Sequence, residues 1–233
     1  MQDARIEAIV SEVVRRLASG SGGPSIHTRG AAWGQHGLFE NVDAAVAAAN
    51  DAYVRLGRTP KHIRKRALDN MRRVTLANLE ELSKRAVQET GLGRVEDKIN
   101  KNRLVAHKTP GMEILQPHCH TGDAGLTLDE RGSLGVIGAI TPCTNATETI
   151  LNNGISMIAA GNSVVFNVHP SAKQTLAWYV EMLNRACVDA GAPDNLMTMV
   201  TEPTIKSAQT LMKHDGVRLL AVTGGGAVVK AAL

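Results

Sequence analysis

The spacing of hydrophobic positions changes twice along the chain and divides its main part into three segments. Between residues 38 and 110, apolar residues recur at helical intervals, beginning with an Ala-rich stretch that Asn41 or Asp43 caps at its amino end. In residues 111–132 the spacing becomes that of an extended chain, and it alternates most regularly from Leu126 to Glu130. We therefore predict a helical first part, with two or three helices after the Ala-rich one, followed by an extended segment.

From residue 133 onward, short apolar runs alternate with longer amphipathic stretches. Uniformly apolar runs of this length are typical of strands that are buried on both faces, and helices between them imply right-handed crossovers. The pattern predicts an α/β fold with a Rossmann-like, doubly wound parallel sheet in residues 133–233. The predicted strands are Leu134–Ile140, Ser163–Val168, Leu196–Val200 and Leu219–Val222, and a helix follows each of them, the last one being cut off at Leu233.

Residues 1–18 carry the most regular helical pattern of the chain. Their apolar stripe either folds back onto the rest of the chain or binds an external partner. The residues that follow are rich in glycine and serine, so we assign 19–37 as a flexible linker, and this tether favours the external partner. The stripe consists of Ile6, Ile9, Val10, Val13, Val14 and Leu17.

The composition excludes several classes of protein. Aromatic residues make up only 3% of the chain, which argues against single-stranded nucleic acid as a ligand because such sites need stacking platforms. No apolar run approaches the roughly 18 residues that a membrane span requires. The three cysteines, Cys119, Cys143 and Cys187, are too scattered for a disulfide framework and indicate a reducing compartment.

A basic cluster contributes to the net charge of +4. At helical spacing these side chains either spread over a solvated surface or attract an anion such as a phosphate group. The cluster consists of Lys61, Arg64, Lys65, Arg66, Arg72 and Arg73.

Ligands of a doubly wound sheet bind beyond the carboxyl ends of its strands. Four segments occupy these ends, and each offers free backbone N–H groups. They are Thr141–Asn145, Asn167–Pro170, Thr201–Pro203 and Thr223–Gly226. The glycine turn at 224–226 is either a phosphate cradle or only a tight turn, and no G-x-G-x-x-G sequence follows any strand. His169 either binds a ribose or phosphate group or caps its own turn.

The sequence His118-Cys119-His120 contains metal-binding side chains. Neighbouring residues of an extended chain point to opposite faces, and no second group of ligands lies nearby in the sequence. We therefore predict no metal site.

Several long, colinear segments resemble the CoA-acylating branch of the aldehyde dehydrogenase superfamily. They are Gln88-Glu-Thr-Gly-Leu-Gly-Arg-Val-Glu-Asp-Lys98, Thr109-Pro-Gly111, Thr121-Gly-Asp123, Gly125-Leu-Thr127, Gly138-Ala-Ile-Thr-Pro-Cys-Thr-Asn-Ala-Thr-Glu-Thr149, Ala159-Ala-Gly-Asn-Ser-Val-Val-Phe166 and His169-Pro170. The propionaldehyde and acetaldehyde dehydrogenases of the propanediol and ethanolamine microcompartments are the most similar branch. The resemblance begins near residue 38 and covers about half of such an enzyme.

The resemblance implies that an aldehyde is oxidised with NAD⁺ and that coenzyme A removes the acyl group from a cysteine thioester. Asn145 falls on the side chain that stabilises the developing oxyanion, although a helix N-cap is an equally physical role for it. The catalytic cysteine is expected beyond Leu233, and Cys143 is a weak substitute. The cofactor contacts are expected at Thr141, Pro142, Cys143, His169, Pro170, Thr223, Gly224, Gly225 and Gly226.

The resemblance also implies a place in the cell. Residues 1–18 would direct the protein to a shell or cargo protein in the lumen of a cytoplasmic microcompartment, as a homodimer or homotetramer. His169 in place of a basic side chain favours NAD⁺ over NADP⁺. A catalytically inactive nucleotide-binding or cargo module is the alternative, and we expect little turnover from residues 1–233 alone.

Overall fold

The computed structural model describes residues 36–233, so the predicted helix at 1–18 and most of the linker at 19–37 lie outside the described residues. The last two residues of that linker are bound to the fold. The backbone N–H of His36 donates to Asp194 Oδ2 at 3.2 Å, and that of Gly37 donates to Asn195 Oδ1 at 2.8 Å.

Eight α-helices and seven strands make up this part of the chain. The helices are α1 (Val42–Gly57), α2 (Lys61–Ala77), α3 (Leu79–Thr90), α4 (Val95–Lys108), α5 (Ala146–Ala159), α6 (Lys173–Asp189), α7 (Ile205–Lys213) and α8 (Gly226–Ala232). The strands are β1 (Leu38–Phe39), β2 (His118–Gly122), β3 (Gly125–Asp129), β4 (Val136–Ile140), β5 (Ser163–Asn167), β6 (Met197–Val200) and β7 (Val217–Val222).

Five of these strands form one parallel sheet in the order β1-β6-β5-β4-β7. The prediction of an α/β fold with a parallel sheet is confirmed, and the four predicted strands correspond to β4, β5, β6 and β7. Strand β1 was not predicted, because two residues are too few to show a periodic pattern. It pairs Leu38 with Met199 and Phe39 with Val200 at the edge of the sheet.

Helices cover both faces of the sheet. Helix α1 packs on β4, β5 and β6 together with α7, and α5 and α6 pack against β5 and β6. Helices α2, α3 and α4 form an outer layer on α5 and α6. The core under α1 joins alternate positions of the strands to the apolar face of that helix, as expected for strands of period two. It contains Phe39, Val42, Ala45, Val46, Ala49, Val136, Ile140, Val165, Val200 and Leu211.

The helix ends follow the chemistry of their sequences. Asn41 caps α1, since its side chain accepts a hydrogen bond from the N–H of Ala44 at 2.9 Å, so Asn41 and not Asp43 takes that role. Thr204 and Ser207 form a reciprocal capping box at the start of α7. At the start of α6, the carboxylate of Glu89 accepts from the N–H groups of Gln174 and Thr175 at 2.8 and 2.7 Å.

Three arginines of the basic cluster bind the carboxyl ends of other helices. Arg72 donates from Nη1 to Ala106 O at 2.5 Å and from Nη2 to Thr109 O at 2.6 Å, at the end of α4. Two further arginines of α2 do the same for α5 and α6: Arg64 reaches Ala159 O at 3.3 Å, and Arg66 reaches Ala190 O at 3.0 Å. Neither sequence interpretation anticipated this role: Arg64 and Arg72 are half-buried rather than freely solvated, whereas Arg66 remains exposed while it binds its carbonyl group.

The extended segment forms an antiparallel hairpin of β2 and β3, in agreement with the alternation at 126–130. All ten residues of the two strands are exposed, among them His118, Cys119 and His120. Within residues 36–233, no three His, Cys, Asp or Glu side chains lie close enough together to hold a metal ion. None of the helices in this range combines the length and the apolar character needed to cross a membrane.

Candidate nucleotide site and oxyanion loop

The strand order creates a crevice between the carboxyl ends of β4 and β7. The chain leaves β4 for α5, which packs with α6 on one face, and it leaves β7 for α8, which packs with α7 on the face of α1. Neighbouring parallel strands whose helices lie on opposite faces mark a topological switch point, where ligands of such sheets bind. The structure therefore brings the loops Thr141–Asn145 and Thr223–Gly226 together at one edge.

The ends of the strands hold these loops close to each other. The N–H of Thr223 donates to Ile140 O at 3.0 Å, and the N–H of Thr141 donates to Asn167 O at 3.3 Å. The Thr141 side chain is 3% exposed. Its Oγ1 has no hydrogen-bond partner within the described part of the chain. A buried hydroxyl without a partner at a ligand-binding edge is suited to bind a polar group of a ligand.

Asn145 stands at the N-cap position of α5, but its side chain makes no capping hydrogen bond. Its Oδ1 accepts from Nζ of Lys101 at 2.9 Å, and its backbone oxygen accepts from the N–H of Thr149 at 3.0 Å. The N-cap interpretation is therefore correct for the backbone of Asn145 and wrong for its side chain. With the amide oxygen occupied by an ammonium group, the amide nitrogen is left to donate elsewhere.

A second lysine of α4 lies behind the same loop. Lys98 donates from Nζ to Thr144 O at 2.5 Å, and its ammonium is 3.6 Å from Oε1 of Glu148. The side chains of Lys98 and Glu148 are only 4% and 7% exposed, so this is a buried ion pair. Sequence reasoning missed both lysines as parts of the site, although Lys98 ends the first of the quoted family motifs.

The second predicted loop, after β5, is held by its own residues. His169 is exposed, and its Nδ1 accepts from the N–H of Ser171 at 3.2 Å, which caps the turn at Pro170–Ala172. The capping interpretation of His169 is thus observed. Asn167 accepts from the Ser207 hydroxyl at 2.6 Å, which ties the loop after β5 to α7.

The loop after β6 carries an ion pair across the edge. Glu202 contacts the ammonium of Lys173, which belongs to the first turn of α6. The two charges neutralise each other at this point of the edge. Pro203 is buried, and Thr204 begins the capping box of α7.

The glycine turn after β7 is exposed and open. Gly225 stands at the N-cap position of α8, and a Cβ on Gly225 or Gly226 would meet no atom within 4 Å. Packing within the described residues therefore does not explain these glycines. Open space beside backbone N–H groups is the property that a phosphate cradle requires.

The three cysteines lie in different surroundings. Cys119 is exposed on β2, Cys143 is half-buried in the loop after β4, and Cys187 is buried in α6. Burial raises the pKa of the Cys187 thiol to about 12, and nearby Asp194 adds to the shift. Among the three thiols, only Cys143 therefore lies at the ligand-binding edge.

The sequence matches the model of the aldehyde dehydrogenase family over residues 29–232. It is 44% identical over 232 residues to the acetaldehyde dehydrogenase (acetylating) EutE of Escherichia coli K12, covering 100% of this chain and 48% of EutE. It is 40% identical over 194 residues to the propanal dehydrogenase (CoA-propanoylating) of Citrobacter freundii, covering 83% of this chain and 42% of that protein. The chain thus spans about half the length of these relatives.

Solved structures match with similar coverage. Propionaldehyde dehydrogenase of Rhodopseudomonas palustris, with bound CoA and an acylated cysteine, superposes with a TM-score of 0.83 at 47% identity over 84% of this chain and 45% of its own. A propionaldehyde dehydrogenase from the fucose utilisation microcompartment of Clostridium phytofermentans gives 0.82 at 44% identity, with the same coverage of both chains. An engineered glycolyl-CoA reductase with bound NADP⁺ gives 0.83 at 46% identity, again over 84% and 45%.

Proposed function

Because the chain belongs to the aldehyde dehydrogenase family, we propose that its described residues are the nucleotide-binding part of a CoA-acylating aldehyde dehydrogenase. The substrate is a short-chain aldehyde, and the products are an acyl-CoA and NADH. The observation that carries the proposal is the amide of Asn145, held at the switch point of the sheet by a hydrogen bond of 2.9 Å from Lys101.

The residues at the edge fit a dinucleotide. The Thr141 hydroxyl is buried without a partner in the described part of the chain, and a Cβ on Gly225 or Gly226 would meet no atom within 4 Å. We assign the pyrophosphate to Thr223, Gly224, Gly225 and Gly226, and the ribose and nicotinamide side to Thr141, Pro142, Cys143, His169 and Pro170. When bound, NAD⁺ supplies the hydride acceptor.

The reaction places a specific demand on Asn145. A cysteine thiolate attacks the aldehyde carbon, a C–S bond forms, and the carbonyl oxygen gains negative charge. An amide N–H fixed in advance toward that oxygen lowers the barrier by about 3 kcal/mol. Loss of hydride from the same carbon leaves a thioester, and the thiolate of CoA then displaces the enzyme cysteine.

The attacking cysteine is assigned outside residues 1–233. The R. palustris relative carries an acylated cysteine, and this chain spans 45% of it. Cys143 lies in the same loop as Asn145, the proposed oxyanion donor. We do not assign the attack on the aldehyde to Cys143.

We further propose the organisation of the whole chain. Residues 1–18 are a targeting helix and 19–37 a linker that together direct the protein into the lumen of a microcompartment. Residues 38–110 and 133–233 build the cofactor domain. The segment 111–132, whose hairpin exposes Leu126 and Leu128 by 66% and 59%, contributes to a homo-oligomer.

The test uses the complete protein that the gene encodes. NADH formation from propionaldehyde and NAD⁺ is followed with and without CoA, and propionyl-CoA is identified by mass spectrometry. We expect NADH to accumulate over many turnovers only with CoA. Nucleotide binding without turnover would overturn the proposed activity in favour of an inactive nucleotide-binding module.

Asn145→Ala gives the more specific test. We expect its kcat to fall by about a hundredfold, because removal of one oxyanion donor has an effect of that size. Asn50→Ala, which removes an exposed asparagine of α1, is the matched control and should keep full activity. An Asn145→Ala protein with unchanged kcat would remove the residue from the mechanism.

A further inference from the structure

We propose that Lys101 is a positioning residue that sets the orientation and the donor strength of the Asn145 amide. This inference rests on the proposed function of Asn145 as the oxyanion donor. Lys101 belongs to α4, which is an outer-layer helix and no part of the sheet, so the site would depend on an element outside its own strand-end loops.

Lys101 fixes the orientation of the Asn145 amide. An asparagine side chain has an oxygen that accepts and a nitrogen that donates, and rotation about its last bond exchanges their places. An ammonium group has three donors and no acceptor, so only the amide oxygen can face Lys101. The 2.9 Å bond from Nζ to Oδ1 therefore selects the rotamer in which Nδ2 points away from Lys101. The flipped amide would present an oxygen to the developing negative charge and would repel it.

Lys101 also strengthens the amide nitrogen of Asn145 as a hydrogen-bond donor. A hydrogen bond from a charged group to the amide oxygen draws electron density toward that oxygen and makes the N–H groups on the other side of the amide stronger donors. This polarisation gains importance as negative charge develops, so it acts on the transition state more than on the bound aldehyde.

A neighbouring lysine holds the backbone that carries the Asn145 amide. Lys98 lies one helical turn before Lys101, and its ammonium holds the carbonyl of Thr144, the residue that precedes Asn145. Residues three apart on a helix lie on the same face. One face of α4 thus fixes the peptide before Asn145 through Lys98 and the amide of Asn145 through Lys101. The buried pair of Lys98 with Glu148 anchors this face to α5.

Lys101 is exposed, so its replacement leaves the fold intact and tests the inference directly. In the complete protein, we expect Lys101→Met to lower kcat about tenfold, as for the loss of a hydrogen bond to a charged group, with KM for the aldehyde unchanged. Lys101→Arg restores a donor-only cation and should recover most of the activity. Lys108→Met, which removes an exposed lysine from the end of the same helix, is the control and should behave as wild type.

A double-mutant cycle separates this inference from the proposed function. If Lys101 acts only through Asn145, then Lys101→Met has no effect on kcat in the Asn145→Ala background. Equal losses in both backgrounds, or full kcat in Lys101→Met, would overturn the inference while the role of Asn145 stands. Full kcat in Asn145→Ala would instead overturn the proposed role of Asn145, and the positioning role would fall with it.

Discussion

The ammonium of Lys98 and the carboxylate of Glu148 lie 3.6 Å apart behind the loop Thr141–Asn145, with 4% and 7% of their side chains exposed. The side chains of lysine and glutamate are seldom buried to this extent, because the desolvation of each charge costs several kcal/mol. The pair is nevertheless built into the fold at the point where α4 meets α5. Each charge therefore depends on the other for its place in the structure.

Removal of one partner should be far more harmful than removal of both. We expect Lys98→Met to lower the free energy of unfolding by about 3 to 5 kcal/mol, since Glu148 is left as an unpaired buried charge. Lys98→Met combined with Glu148→Gln should recover much of this loss. Urea denaturation of the three proteins measures the difference.

The exposed pair of Lys173 and Glu202 provides the control for this prediction. Glu202 is 74% exposed, so Lys173→Met should change the free energy of unfolding by less than about 1 kcal/mol. If Lys98→Met costs no more than Lys173→Met, then the burial of the Lys98–Glu148 pair does not matter for stability.

The arginines of α2 give a second prediction on stability. Arg72 donates to two carbonyl groups at the end of α4, whereas its neighbour Arg73 is exposed and makes only a 3.5 Å contact with Asn70. We expect Arg72→Met to cost about 2 kcal/mol, because two carbonyl groups lose a charged donor. Arg73→Met should stay within about 0.5 kcal/mol of wild type. Equal melting temperatures for the two variants would show that the end of α4 does not need the guanidinium.

Arg72 and Arg73 have different contacts that the sequence pattern alone does not distinguish. Both residues belong to the same basic cluster, and the helical spacing alone assigns them the same surface. The carbonyl groups that Arg72 binds belong to the end of another helix, some 35 residues further along the chain. Only the packing of α2 against α4 distinguishes the two arginines, and no local pattern encodes that packing.

The parts of the fold and of the site that could be predicted are those with a local pattern in the sequence. Strands β4 to β6 are buried on both faces, so they appear as continuous apolar runs, and the polar loops that follow them mark the ligand-binding edge. Strand β1 has two residues and gives no periodic signal. Lys98 and Lys101 contact Thr144 and Asn145 from more than 40 residues away in the sequence, so these contacts become visible only when α4 is placed beside α5.

A third prediction concerns Gly37, where the chain enters the sheet. Its φ of +91° is strained for any residue with a side chain, and a Cβ there would overlap the carbonyl oxygen of Met197. We expect Gly37→Ala to lower the free energy of unfolding by about 3 kcal/mol or more.

Gly57 provides the matched substitution. It lies at the end of α1, and a Cβ there would meet no atom within 4 Å. Gly57→Ala should stabilise the protein by about 0.5 kcal/mol, since alanine loses less conformational entropy on folding. Chemical denaturation of both variants tests the pair, and a Gly37→Ala protein as stable as wild type would contradict the backbone geometry at the start of β1.

The last prediction concerns the thiol of Cys187. Burial raises its pKa from the ordinary 9.0 to about 12, so the folded protein keeps the thiol protonated while the unfolded chain ionises it. The resulting stabilisation is complete below pH 9 and is lost as the pH rises from 9 toward 12. The free energy of unfolding should therefore fall with pH in this window, by up to about 1.4 kcal/mol per pH unit from this group. Cys187→Ala should show a shallower slope, although it is less stable at neutral pH because a buried side chain is shortened.

A thiol reagent at pH 8 gives an independent test of the burial of Cys187. We expect it to modify Cys119 and Cys143 in the native protein and Cys187 only after denaturant is added. Rapid modification of all three thiols in the native protein would contradict the burial of Cys187.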